Sequence, residues 1–409
     1  MARRARIHSR DFQPQLATPR GLVSAARVQR FDWPATYPTT AIDELGRKLH
    51  VGTTSETPQV TVTMEAFDTS HVTMAYLTGS TGATFPVSGA SVTEFKNIDV
   101  IGEIRDGSTL KVLNALYLPR GTITGMDATF GVRANSTISY TVTGNSKKEL
   151  RQPVFYESFN IVTESGVQTL TNTPSYLTRT SGYILSAYRT GTDGSTNYLT
   201  ESTNGNNSTA RDFSVTGANI NFFGPGANGG TTATGDLIWV TYTAAVSTDT
   251  FLALNDQDVP AVQGKYVPTT ISVSTIPRVQ SATIRVAFNA EEIQEMGGLG
   301  KPIGYELGVP SVTGDLSVLK TDNDLVNLLN GQSLSTVETD LSFAVTNLPL
   351  KIQLKDPRDV SKTLLTYYVP SITITSESDT DTVNASVLET FAWESTTGEL
   401  IVMSGVGVY

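Results

Sequence analysis

Two stretches of this chain, roughly 250 residues apart, carry the same succession of short motifs. Ser24-Ala25-Ala26 through Phe31-Asp32 matches Ser281-Ala282-Thr283 through Phe288-Asn289, and Glu44-Leu45-Gly46 matches Glu295-Met296-Gly297. Thr69 through Leu77-Thr78-Gly79 matches Thr321 through Leu329-Asn330-Gly331. Lys111 through Tyr117-Leu118-Pro119 matches Lys362 through Tyr368-Val369-Pro370. Gly46 lies 73 residues before Pro119, and Gly297 lies 73 before Pro370. Four matches in one order at nearly one offset mean that one building block is present twice. A duplicated unit points to symmetric assembly ahead of catalysis.

Composition removes several chemistries. A chain of 409 residues exceeds one ordinary domain. It has no cysteine, so disulfides, thiolate nucleophiles and thiolate metal sites are absent. Its three histidines, His8, His50 and His71, are not spaced as metal ligands. The longest apolar runs fall far short of a membrane span, so no membrane anchor is expected. Arginines near the N-terminus have no apolar stretch behind them, which does not read as a secretory signal. Residues 1–30 hold seven arginines against Asp11, a local +6 in a chain of net −10, which leaves −16 for the rest. A body that acidic is unsuited to gripping duplex phosphates. The basic arm reads as a segment that docks on an acidic neighbour or stays unstructured.

Strand patterns dominate. Val60–Met64, Ile138–Val142, Ile271-Ser272-Val273 and Ile372-Thr373-Ile374 alternate β-branched and polar residues, as half-buried antiparallel strands do. A capping pair, Asn289 and Glu292, predicts a short helix from Ala290 to Met296 stopped by Gly297, with a counterpart from Thr39 or Thr40 to Gly46. A further helix is expected from Asp322 through Leu325, Leu328 and Leu329 to Gly331. The fold class is therefore mainly β: a basic arm at 1–20, two β-sandwich or half-barrel repeats at 21–150 and 269–409, and an inserted all-β domain at 151–268. The insertion has frequent turn residues between strands, and Phe222, Phe223, Trp239 and Tyr242 supply a core that a linker would not need.

No nucleophile–base set is visible, so an enzyme is not expected, nor is a cofactor. Glu291, Glu292 and Glu295 read as a solvated or interface face of the predicted helix. Glu377, Asp379 and Asp381 alternate without the loop glycine of a calcium site. Asn135-Ser136-Thr137 and Asn207-Ser208-Thr209 match the glycosylation pattern no better than chance allows.

The order of strand, short helix ending in Glu-Leu-Gly, alternating strand, and hairpin ending in Pro with two more strands resembles the tail tube fold of tailed bacteriophages. The resemblance rests on Ser24–Gly46, Val60–Phe67 and Leu116–Val142, and again on Ser281–Gly297, Val312–Leu319 and Tyr367–Trp393. It implies a structural virion protein whose three chains close a pseudo-hexameric ring. Rings would stack into a tube through which genomic DNA passes unbound. Its partners would be copies of itself and the terminator, tape measure and baseplate proteins of a virion tail assembled in the host cytoplasm. Baseplate hub or tail-tip rings share that fold, and a glycan-binding adhesin built on the insertion is the reading from another class. The expected contacts between rings or subunits are Arg3, Arg4, Arg6, Arg10, Arg47, Lys48 and Lys301.

Overall fold

A computed structural model describes residues 12–18, 21–23, 27–42, 52–55, 58–67, 71–78, 90–92, 97–105, 112–163, 166–175, 183–192, 196–202, 212–223, 232–245, 260–272, 274–294, 302–320, 324–329, 347–380 and 386–405. The fold is mainly β. It begins with β1 (Phe12–Thr18), β2 (Gly21–Val23), β3 (Val28–Asp32), β4 (Ala35–Thr36), β5 (Thr39–Ile42), β6 (Gly52–Ser55) and β7 (Gln59–Ala66). Helix α1 (His71–Leu77) precedes β8 (Ala90–Ser91), β9 (Ile98–Arg105), β10 (Val112–Gly131), β11 (Thr137–Gly144) and β12 (Lys148–Leu150). The insertion supplies β13 (Val154–Asn160), β14 (Val167–Thr169), β15 (Ile184–Thr190), β16 (Thr196–Tyr198), β17 (Glu201–Ser202), β18 (Phe213–Thr216), β19 (Asn219–Phe222) and β20 (Leu237–Thr243). The second repeat has β21 (Thr269–Ile271), β22 (Ser274–Thr275), β23 (Val279–Ala287), β24 (Ala290–Gln294), β25 (Pro302–Leu307) and β26 (Ser311–Leu319). It ends with α2 (Asp324–Leu329), β27 (Leu348–Asp356), β28 (Asp359–Thr380), β29 (Leu388–Ser395) and β30 (Ile401–Ser404).

Strand pairing repeats itself. In the first repeat β3 pairs with β7, β7 with β11, and β11 with the second half of β10. In the second, β23 pairs with β26, β26 with β29, and β29 with the second half of β28. The first half of β10 lies between β9 and β12, and the first half of β28 between β27 and β30. Even the irregularities recur: bulges at Val28/Arg30 and Ile123/Gly125 match those at Val279/Ser281 and Ile374/Ser376. A bulge inserts a residue and re-aims the strand, so shared bulges mark shared strand paths.

The pairing corrects one motif match. Arg27 and Arg278 both take a positive φ, of 53° and 61°, and two residues later Gln29 and Gln280 each bond back to that arginine's carbonyl. Arg27-Val28-Gln29 therefore corresponds to Arg278-Val279-Gln280, six residues out of step with the Ser24–Ser281 match. Helix α2 forms where expected, although Asp322 and Gly331 lie outside the described residues. The helix over Ala290–Met296 does not form. Ala290–Gln294 is strand, paired antiparallel with β25, and its counterpart β5 pairs with β6 in the same way. A seven-residue helix fixes many dihedrals for few hydrogen bonds, whereas a hairpin gives these backbone groups a partner directly. Val273 lies outside the described residues and Ser272, with φ 56°, turns the chain, so that expected strand stops at Ile271.

The chain divides into two compact units that cut across the expected segments. One holds Met1–Ser24, Asn97–Gly121 and Ser146–Asn255; the other holds Ala25–Lys96, Thr122–Asn145 and Asp256–Tyr409. In the first unit two four-stranded sheets, β13-β20-β15-β16 and β14-β19-β18-β17, enclose Phe155, Leu170, Ile184, Phe213, Ile220, Phe222, Ile238, Val240 and Tyr242. The other face of the β15 sheet packs on β1, β9 and β10 through Val154 and Leu185 against Ala17, Ile101, Ala115 and Tyr117. This makes β15 a middle layer, buried on both faces along almost its whole length. In the second unit successive residues of β7, β11, β26 and the later part of β23 alternate between buried and half-exposed or exposed, the period of a sheet with one apolar face.

Candidate functional site

The feature of greatest functional weight is a joint inside the second unit. Gly125–Gly131 of β10 pairs antiparallel with Ser281–Ala287 of β23, so the last sheet strand of one repeat meets the first of the next. Met126, Ala128 and Phe130 are buried on one side of the joint, opposite Val286, Ile284 and Ala282, which are buried too. On the outer face Asp127 stands across from Arg285. Burial raises the Asp127 pKa, and the Arg285 charge pulls it back. Arg285 also reaches the Asp315 carboxylate at 3.0 Å.

Among the described residues the strand segments equivalent to those two lack the partner that joins them in the internal joint. Thr373–Thr380 of β28 pair only with β29, and β3 only with β7, among the described residues. Ser376–Thr380 are all exposed, whereas Met126 and Ala128, the equivalents of Glu377 and Asp379, are buried. The chemistry changes as well. Where the first repeat has Met126, Ala128 and Ile138, the second has Glu377, Asp379 and Glu389, with carboxylate oxygens within 4.8 Å of one another. Lys320 lies among them, 2.7 Å from Asp379 Oδ2 and 3.1 Å from Glu389 Oε1. That ammonium meets two of the three carboxylates. The Glu377 pKa is raised by partial burial and then by its neighbour Glu389. Of the acids read from sequence, Asp381 lies outside the described residues, and Glu389 is the member that the spacing did not reveal.

Glu389 is 2% exposed, and Lys320 is the cation beside it. The Lys320 pKa is raised, first by its hydrogen bond to Asp379. Its contribution is therefore full below the ordinary lysine value and lost only as pH rises through the folded value. Lys320→Met is expected to cost about 1–3 kcal/mol at pH 7. The cost shrinks as pH falls, because Glu377, whose pKa is already raised and which Lys320 pulls back, then takes up a proton. Urea unfolding at pH 5 and pH 7 measures the difference.

A second polar centre lies wholly in the first unit. Asp99 is 0% exposed on β9 and accepts from the Tyr117 hydroxyl at 2.7 Å and the Arg120 backbone N–H at 2.9 Å. From β15 of the insertion it also accepts the Ser186 and Tyr188 hydroxyls. Tyr198 donates to the Tyr188 hydroxyl at 3.0 Å, and the Arg120 guanidinium lies 4.1 Å above the Tyr198 ring. Nearby, Glu103 accepts from Val154 N–H at 3.3 Å and pairs with Arg105 at 2.7 Å, and the Tyr156 hydroxyl donates to the Thr18 carbonyl. The Asp99 pKa is raised by burial, and all four donors act against that rise. In the second repeat Pro349 occupies the equivalent position, and β27 alternates buried and half-exposed. The arrangement holds the inserted sheet onto its host sheet. A lone acid inside the apolar run Ile98-Asp99-Val100-Ile101 was the available signal, since a buried carboxylate needs donors.

Arg3, Arg4, Arg6, Arg10, Arg47, Lys48 and Lys301 all lie outside the described residues. Arg47 and Lys48 fall in sequence between β5 and β6, and Lys301 between β24 and β25. Glu291 and Glu292 stand on strand β24, not on a helix, and Glu295 lies outside the described residues. Each hairpin forms a two-stranded sheet of its own. Ile42 and Ile293, at equivalent positions, are 47% and 42% exposed.

Compared with protein-family models and with curated proteins, the chain matches none.

Proposed function

We propose that this chain is the tail tube subunit of a tailed bacteriophage, a structural protein of which three copies close a pseudo-hexameric ring and rings stack around a DNA channel. The observation that carries this reading is the internal joint: β10 and β23 join two repeats edge to edge, and among the described residues the equivalent edges of β28 and β3 have no such partner. A sheet edge presents unpaired N–H and C=O groups and is a template for another chain unless it is paired or guarded. A repeat that joins its twin head to tail has a heterologous contact, and such contacts close into rings when the rotation permits. Covalent linkage makes every second joint intramolecular, so three chains replace six.

The twin hairpins support stacking. A two-stranded hairpin is marginal in water by itself. Both hairpins carry an exposed isoleucine at the same position, a surface suited to contact between rings. The inserted domain follows the first repeat and is assigned to the outside of the ring. DNA passes an acidic protein without being held, since cationic side chains drive phosphate binding.

Negative-stain microscopy of the purified full chain tests the reading. Tubes with a regular axial repeat are expected. Single closed rings without tubes favour a baseplate hub or tail-tip role of the same fold. A subunit that remains single at every concentration overturns both.

A further inference from the structure

The two ends of the repeated sheet differ in chemistry from the joint they imitate, and this difference bears on when chains can join. In the internal joint the core side is apolar, formed by Met126 and Ala128 against Val286 and Ile284. By the same register, β28 of one chain would meet β3 and β4 of a second, with Glu377 across from Ala35 and Asp379 across from Trp33. Thr380 would then face Asp32. Carboxylates thus stand where the internal joint has a methionine and an alanine.

We propose that the outer edge of β28 receives the β3 edge of a second copy of this chain, and that Glu377, Asp379 and Glu389 hold this joint open until they are neutralised. The proposal rests on the ring reading above and adds its control. Charged side chains directed inward on a terminal strand are a recognised guard against premature edge pairing. Joining would remove Glu377 and Asp379 from water, and a carboxylate buried without a full partner prefers its protonated form. The charged groups facing them are Glu389 on β29 and Lys320 after β26; on the incoming chain that face carries Ala35 and Trp33, while Arg30, Asp32 and Glu65 alternate onto the other face. Arg30 is committed to Asp32 at 2.5 Å, so one lysine stands against three carboxylates. Joining therefore takes up protons, and association strengthens as pH falls. Linkage sets the scale at about tenfold per pH unit for each proton taken up.

Sedimentation velocity on the full chain from pH 8 to pH 5 tests this, alongside E377Q/D379N and the milder E377Q. The wild type is expected to associate about tenfold or more tightly at pH 5 than at pH 8. E377Q/D379N is expected to associate at pH 8 as the wild type does at pH 5, with E377Q between them. Ala35→Asp, which sets a new carboxylate opposite Glu377, is expected to abolish association throughout. If the wild type shows no pH dependence, or E377Q/D379N keeps it, the control is overturned while the ring reading stands. If Ala35→Asp associates like the wild type, the register is overturned. A wild type that is monomeric at every pH removes the ring reading and this control together.

Discussion

Replacing Gly314 by valine is expected to unfold the second repeat under conditions where the parent chain is intact, and replacing Trp393 by valine in the same molecule is expected to restore only the part of the loss that the ring causes. Gly314 and Trp393 face each other across β26 and β29. A Cβ on Gly314 would stand 2.1 Å from the Thr283 carbonyl oxygen and 2.4 Å from the Trp393 ring. The first of these is backbone of a neighbouring strand and cannot swing away. The equivalent pair in the first repeat is Val62 and Val142, also directly opposed and both buried. The two repeats thus fill one position differently, two medium side chains in one and a large ring over a bare backbone in the other. Overpacking costs roughly 1–3 kcal/mol or more. Trp393→Val alone opens a cavity and costs about 3–5 kcal/mol. The double variant reproduces the first repeat's solution, so the two single costs should not add. A double-mutant cycle by urea unfolding gives the coupling directly, and additive losses would refute the packing account.

Asp99→Ala is expected to destabilise the first unit by about 3–5 kcal/mol, because four donors aimed at one buried carboxylate lose their acceptor together. Trp239 is the tryptophan of that unit, Trp33 and Trp393 belonging to the other, so its fluorescence in a Trp33→Phe/Trp393→Phe background follows the loss. The sign of the pH dependence follows from the raised Asp99 pKa. A carboxylate whose folded value lies above its unfolded value contributes most below the unfolded value, 3.8, and this is lost as pH rises through the folded value. The stability gap between wild type and Asp99→Ala should therefore widen as pH falls from 7 towards 4. A gap that narrows would mean that the donors hold Asp99 charged more strongly than burial opposes it.

The duplication was legible because side-chain period and turn residues are local properties, and both repeats retained them. Val60–Met64 and Ile138–Val142 alternate in sequence and in burial alike. The hairpins at Thr39–Ser55 and Ala290–Leu307 were misread as helices because Asn289 and Glu292 imitate a cap, while the strand that answers β24 begins at Pro302, beyond any local window. The Asp99 centre escaped for a similar reason: Ser186 and Tyr188 reach it from 87 and 89 residues away. Glu389 was missed because its partnership with Asp379 and Lys320 is made across strands, not along one.

The double burial of β15 has a consequence for shortening the chain. An excision of residues 151–265 would not return a plain single-layer repeat. It would lay bare Ile101, Ala115 and Tyr117, and leave Asp99 with two of its four donors. Where the face so uncovered has Ile101 and Ala115, the other repeat has Lys351 and Thr366. Such a trimmed protein would be driven to clump unless those residues were first exchanged for the polar set already tested in its own other half.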